Sequence, residues 1–239
     1  LSLGIGNIIG SNIANSLLVV AVLYLFIDTS YNKKIDLNPT SALWMMVVTT
    51  VFVSSYILIN EFPFILGITL LILVVAITYK LVNEEAIEDE EFMEETITNV
   101  WPKAALSLGA TIFGSSLVVN NAIDLAELFG ISSLIIGVTV VALGTSLPEV
   151  AGTIAAARLK KPDIVFGNIF GSNLFNIGLV GGASIVIQPG NIESDVLIQM
   201  FMMYFVSLMV IIFSRSTVKR SSLVGFSMLG AYSLFIFSL

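Results

Sequence analysis

The chain of 239 residues is 56% hydrophobic and only 11% charged, with a net charge of −7 and neither cysteine nor histidine. A soluble domain carries about a quarter charged residues, so this composition points to a membrane protein. The absent residue types exclude disulfides, thiolate or imidazole metal sites, cysteine nucleophiles and histidine-based triads, and the acidic balance argues against a nucleic-acid partner.

A helix crosses the hydrocarbon core with about 20 apolar residues. Runs of that size fall at roughly 5–27, 41–59, 62–82, 102–128, 132–158, 164–187, 195–214 and 221–238, predicting an all-α polytopic membrane protein of eight spans. Residues 1–82 form a first half, 83–101 an acidic loop, and 102–239 a second half. The eight carboxylates between Glu84 and Glu95 read as a solvated loop or short helix, with attraction of cations as the alternative. The chain starts at Leu1 without a charged stretch ahead of the first apolar run, which predicts no signal peptide and further sequence upstream.

Alternating spans place loops 28–40, 83–103, 158–163 and 214–220 on one side and 60–63, 129–131 and 188–194 on the other. All ten basic residues fall on the first side, which the positive-inside rule makes cytoplasmic. A wrong number of spans would scatter them.

The phrase GNIIGSNIAN, Gly6 to Asn15, returns as GNIFGSNLFN, Gly167 to Asn176. Aligning 6–19 with 167–180 gives nine identities, and the topology runs the two copies in opposite directions. Inverted repeats mark secondary transporters, whose sites lie at the midplane where the repeats meet. Gly6, Gly10, Gly167 and Gly171 suit close helix approach. Ser11 and Asn15, like Ser172 and Asn176, are four apart and share a helix face. That face offers hard oxygen ligands for Na⁺ or Ca²⁺. The competing reading is helix–helix hydrogen bonding alone.

In GVTVVALGTSLPEVAG, Gly137 to Gly152, Pro148 leaves the carbonyl of Gly144 without its helical donor. Unwinding over Gly144, Thr145 and Ser146 is therefore expected, with oxygens turned inward. Glu149 lies well inside a span, where an acid is costly and a candidate functional group. With no basic residue near mid-membrane, its natural partner is a mobile cation. Asp124 and Glu127 near an outer helix end are weaker candidates. A cation channel is the second class considered, although an inverted repeat within one chain favours a transporter. An intramembrane enzyme is the third: Ser146 is not in a GxSxG elbow and no histidine exists to activate it.

The stretch from Ala142 to Gly182, with GTSLPE and GNIFGSN, resembles the second α-repeat of the Na⁺/Ca²⁺ exchangers in the cation/Ca²⁺ antiporter superfamily, and GNIIGSN resembles the back half of the first. The resemblance implies a ten-span fold of which eight spans are present here, the second α-repeat occupying about 132–187. It implies Glu149 as the main Ca²⁺ ligand, with backbone carbonyls from Ala142 and Thr145. Side-chain oxygens for Na⁺ would come from Thr145, Ser146 and Ser172, with Ser11 and Asn15 in the matching parts of the first repeat. The first-repeat counterpart of Glu149 is not in these residues. Family members often carry Asp at one of the positions occupied here by Asn15 and Asn176, so the site has one charge fewer and both Na⁺ and H⁺ stay open as counter-ions. The expectation is an antiporter without cofactors or an obligatory protein partner, multi-pass in a prokaryotic inner membrane.

Overall fold

A computed structural model describes residues 1–35, 39–88, 128–192 and 196–239, with scattered positions between 102 and 124. Six helices among these are long and apolar enough to cross a membrane. They are α1 (Ser2–Phe26), α2 (Pro39–Ile59), α3 (Phe64–Glu88), α4 (Leu134–Arg158), α5 (Pro162–Ile187) and α6 (Leu197–Ser214). A seventh, α7 (Ser222–Phe237), is shorter, at about 24 Å for its sixteen residues. These match seven of the eight expected spans. The remaining one, 102–128, lies mostly outside the described residues, as does most of the acidic run, although α3 continues to Glu88.

α1 is the centre of the bundle. In its most apolar window 89% is buried, against 28% for α3 and α6, which turn most of their surface outward. Leu58, Ile65, Ile72, Ile212 and Leu223 are exposed large apolar side chains, as expected of a lipid-facing exterior. Two buried clusters line α1: Ile5, Ile8 and Ile13 pack with Phe52 and Phe62, while Val20 and Leu23 pack with Phe166 and Phe170.

The packing of α1 against α5 is antiparallel. Gly4 faces Ser184 and Gly181 faces Ile8, then Asn12 meets Asn176 and Asn15 meets Asn173. The repeated phrases therefore cross each other head to tail, as the inverted topology requires. α1 and α4 instead run side by side in the same direction, Gly6 against Leu134 and Gly137, and Gly10 against Val138 and Ala142. A Cβ on Gly6 would lie 2.5 Å from the carbonyl oxygen of Leu134, and one on Gly10 would strike the carbonyl of Val138. Only the absence of side chains permits these backbones to touch. Gly167 and Gly171, expected to do the same, have nothing within 4 Å among the described residues.

The loops sort as the basic residues predict. Strand β1 (Asn32–Lys34) pairs antiparallel with β2 (Thr217–Lys219), tying loop 28–40 to loop 214–220. Lys160 reaches Asp28 at 3.5 Å and donates to Ser30 Oγ at 2.9 Å, adding loop 158–163 to the same side. Ser30 donates from both hydroxyl and backbone to the Asp28 carboxylate, and with Lys160 these contacts hold its pKa below the usual value. The tie is thus present at neutral pH and lost only as pH falls through that depressed value. At the opposite ends, Phe62 and Gly190 exchange backbone hydrogen bonds at 3.0 Å, joining loops 60–63 and 188–194.

Two substitutions test this packing. Gly10→Ala forces backbone apart and is expected to lower the thermal unfolding midpoint in detergent, whereas Gly230→Ala, in open space on α7, is expected to hold or raise it. The antiparallel register is tested by Gly4→Cys with Ser184→Cys. A Cβ at Gly4 lies 3.3 Å from that of Ser184, close to disulfide spacing of about 3.8 Å, so oxidation is expected to cross-link the pair in this cysteine-free chain. A mass spectrum without the cross-link contradicts the register.

Candidate cation site

Three spans that meet at the centre each contain one wide π-turn. These are Asn15–Val19 in α1, Gly137–Val141 in α4 and Asn176–Gly181 in α5. The first and third begin at equivalent positions of the repeated phrase. π-Turns inside α-helices are frequent at functional sites because they displace carbonyls from the regular ladder. In α4 the irregularity lies upstream of the expected place. Gly144, Thr145 and Ser146 are helical, and Ala142–Arg158 continues through Pro148. A proline removes one hydrogen bond but need not unwind a helix whose neighbours hold it. The wide turn sits instead where Gly137 and Gly6 bring α4 and α1 together, each glycine's Cα 3.2 Å from a Cβ built on the other.

The first polar cluster joins α1 to α4. Ser11 Oγ lies 2.9 Å from Thr145 Oγ1, 3.1 Å from Asn7 Oδ1 and 3.5 Å from the carbonyl oxygen of Ala142. Thr145 Oγ1 lies 3.2 Å from Asn7 Oδ1 and 3.1 Å from the same carbonyl. Four oxygens thus share two hydroxyl protons. Acceptor lone pairs outnumber donors, a local excess of negative potential that a cation relieves. None of the four titrates near neutral pH.

The second cluster joins α4 to α5. Ser172 Oγ donates to Glu149 Oε1 at 3.1 Å. The other carboxylate oxygen, Oε2, is inaccessible to solvent and has no hydrogen-bond partner among the described residues, and the same holds for Ser146 Oγ. A buried carboxylate oxygen left unpaired is costly, so it calls for a positive partner. A cavity of about 250 Å³ opens beside Glu149 between α4 and α5, with Thr153 and Asn168 on its wall.

The third cluster joins α1 to α5. Asn15 Nδ2 donates to Asn173 Oδ1 at 3.0 Å, and Asn176 Nδ2 donates to Asn12 Oδ1 at 2.9 Å. The two bonds exchange under the symmetry of the repeat. Asn15 Oδ1 remains buried and unpartnered among the described residues.

Seven of the eight predicted residues make hydrogen bonds at these three seams, and the eighth, Ser146, is buried on α4 with its hydroxyl unpartnered among the described residues. Sequence reasoning passed over Asn7, Asn12 and Asn173, although the phrase repeats them as faithfully as it repeats Ser11 and Asn15. Asp124 is exposed, and Glu127 lies outside the described residues.

Antiparallel repeats crossing at buried oxygen clusters, inside a multi-pass bundle, define a membrane transporter of the inverted-repeat class. The sequence profile of the sodium/calcium exchanger protein family matches residues 1–82 and 103–239. The chain belongs to this family, one of transporters rather than enzymes. It is 33% identical over 204 residues to inner membrane protein YrbG of Escherichia coli, covering 80% of this chain and 62% of that one. Over 205 residues it is 31% identical to the putative antiporter CaxA of Alkalimonas amylolytica, covering 81% and 63%. The chain therefore spans a little under two thirds of the length of these curated relatives. The solved sodium–calcium exchanger NCX_Mj, soaked with Na⁺ and Sr²⁺, superimposes with a TM-score of 0.75 at 28% identity, covering 100% of this chain and 77% of the exchanger.

The Asn7–Ser11–Thr145 cluster makes a specific demand. If this cluster holds Na⁺, Ser11→Ala weakens Na⁺-dependent thermal stabilisation while leaving the unliganded midpoint within a few degrees.

Proposed function

We propose that the protein exchanges Ca²⁺ for Na⁺ across a prokaryotic inner membrane by alternating access, with Glu149 the principal ligand for Ca²⁺. The observation that carries this reading is a half-buried acid with one enclosed oxygen unpartnered among the described residues, bonded to Ser172 of α5 and carried on the same helix as Ala142 and Thr145 of the Ser11 cluster. Ca²⁺ takes six to eight oxygens and favours carboxylates. Na⁺ is satisfied by hydroxyl and carbonyl oxygens such as those of Ser11, Ala142 and Thr145. Ala142 and Thr145 carbonyls, with Ser146, Ser172, Asn15 and Asn176, complete the set on this side.

The symmetry of the repeat supports a further element of this reading. It relates Gly6 and Gly10, against which α4 packs, to Gly167 and Gly171, which have no neighbour within 4 Å among the described residues. The resemblance to the exchangers implies a helix equivalent to α4 on that second face, whose acid would stand opposite Glu149. Two buried carboxylates without cations repel, so only the loaded site changes its access. That coupling makes the protein an exchanger rather than a leak.

Na⁺ is favoured over H⁺ as counter-ion because the Asn7–Ser11–Ala142–Thr145 cluster contains no group able to carry a proton at neutral pH. In proteoliposomes of the intact protein, Ca²⁺ uptake is expected to follow an imposed Na⁺ gradient and to ignore a pH gradient. The reverse result assigns proton exchange. Glu149→Gln is expected to reduce Na⁺-driven Ca²⁺ uptake to the level of empty vesicles, and normal exchange by that variant overturns the assignment.

A further inference from the structure

We propose that Asn12 and Asn173 are positioning residues, each holding the other repeat's asparagine, Asn176 or Asn15, so that its carbonyl oxygen and not its amide nitrogen is presented to the transported cation. The inference rests on the cation reading above and concerns residues that contact no ion themselves.

A primary amide is planar, with an acceptor on one arm and two donors on the other. Rotation by half a turn exchanges them at little steric cost. For a cation ligand that rotation is decisive, since it replaces a negative oxygen by two positive hydrogens. An asparagine beside a cation path therefore works only if something fixes its sense. Here Asn15 spends its amide nitrogen on Asn173 Oδ1 at 3.0 Å, leaving its own oxygen buried and unpartnered. Asn176 spends its nitrogen on Asn12 Oδ1 at 2.9 Å.

Each holding residue is itself held. Asn173 Nδ2 donates to Ser16 Oγ at 3.4 Å and lies 3.8 Å from the sulfur of Met45, which leaves its oxygen for Asn15. Asn12 Nδ2 donates to the backbone carbonyl of Asn173 at 3.4 Å, which leaves its oxygen for Asn176. Asn12 and Asn173 are completely buried. Reversing any one amide in either chain sets donor against donor or acceptor against acceptor. A backbone carbonyl only accepts, so the Asn12 arm fixes the sense of Asn176. On the other arm the Ser16 hydroxyl can donate or accept, and the acceptor sulfur of Met45 is what disfavours reversing Asn173 and Asn15 together.

The same geometry bears on charge at positions 15 and 176. An ionised aspartate at either would face the carbonyl oxygen of Asn173 or Asn12, acceptor against acceptor. The seam is matched to neutral amides, and the charge of the site rests on acids elsewhere, Glu149 first among them.

The test is a double-mutant cycle on the purified intact protein, read as the concentration of NaCl, and separately CaCl₂, that half-saturates the rise in unfolding midpoint, with choline chloride holding ionic strength. Asn15→Ala and Asn173→Ala are each expected to raise that concentration about three- to tenfold, the size of one interhelical hydrogen bond in a membrane. The double variant is expected to match Asn15→Ala alone, because Asn173 acts through Asn15. Asn173→Ala combined with Asn176→Ala, on separate arms, is expected to multiply. Asn173→Asp keeps an acceptor for Asn15 and is expected to bind at least as well as the wild type. The inference is overturned if Asn173→Ala lowers the cation-free midpoint without moving the half-saturating concentration, if its effect multiplies with that of Asn15→Ala, or if Asn173→Asp loses affinity as the alanine does. Should Asn173→Ala fail to fold, Asn12→Ala with Asn176→Ala poses the same cycle on the other arm. A wild type that binds cations but exchanges none overturns the proposed function and leaves the inference standing, whereas one that responds to neither salt overturns both.

Discussion

Polar side chains buried where water is absent are costly unless partnered, and the crossing of α1 and α5 supplies partners for four buried or part-buried asparagines. α1 buries Ser11, Asn12, Asn15 and Ser16 along its inner length. Each amide left unpaired would cost about 1–3 kcal/mol. A parallel neighbour would align like groups with like. The antiparallel crossing of α1 and α5 instead pairs each phrase's outer asparagine with the other's inner one, so one sequence serves as donor and acceptor at once. That crossing places α4 against Gly6 and Gly10 and brings Glu149 toward Ser172.

The backbone makes room for the site in a related way. Three π-turns converge on it, two of them opening at Asn15 and Asn176. A π-turn accommodates an extra residue without breaking the helix, which suits a membrane interior where every carbonyl exposed to lipid is penalised. The candidate ligand oxygens thereby sit on helices that remain continuous.

Much of this was legible in the amino-acid order. Apolar run lengths located the described spans to within a few residues, and the basic residues sorted the loops that β1–β2 and the Phe62–Gly190 bridge later joined. The duplicated phrase announced the inverted crossing because amides are too costly in lipid to repeat by accident. The α4 backbone was misread. Pro148 drew attention to its own missing donor, whereas the distortion lies where Gly137 approaches Gly6, a contact between residues 131 positions apart that no local pattern carries. Asn12 and Asn173 were overlooked for a similar reason. Spacing by four marked Ser11 with Asn15 as one face, but the neighbouring face points at the other repeat, and its partner is visible only once the two helices are laid together.

The central claim is that Na⁺ and Ca²⁺ draw on one shared set of oxygens around Glu149. It is tested most directly by equilibrium binding of radioactive Ca²⁺ to the purified intact protein while Na⁺ is raised at constant pH and ionic strength. Sharing predicts that Na⁺ displaces the bound Ca²⁺ completely, that choline does not, and that Glu149→Gln retains no Ca²⁺ to displace. Ca²⁺ that stays bound at saturating Na⁺, or that binds equally well to Glu149→Gln, would contradict it.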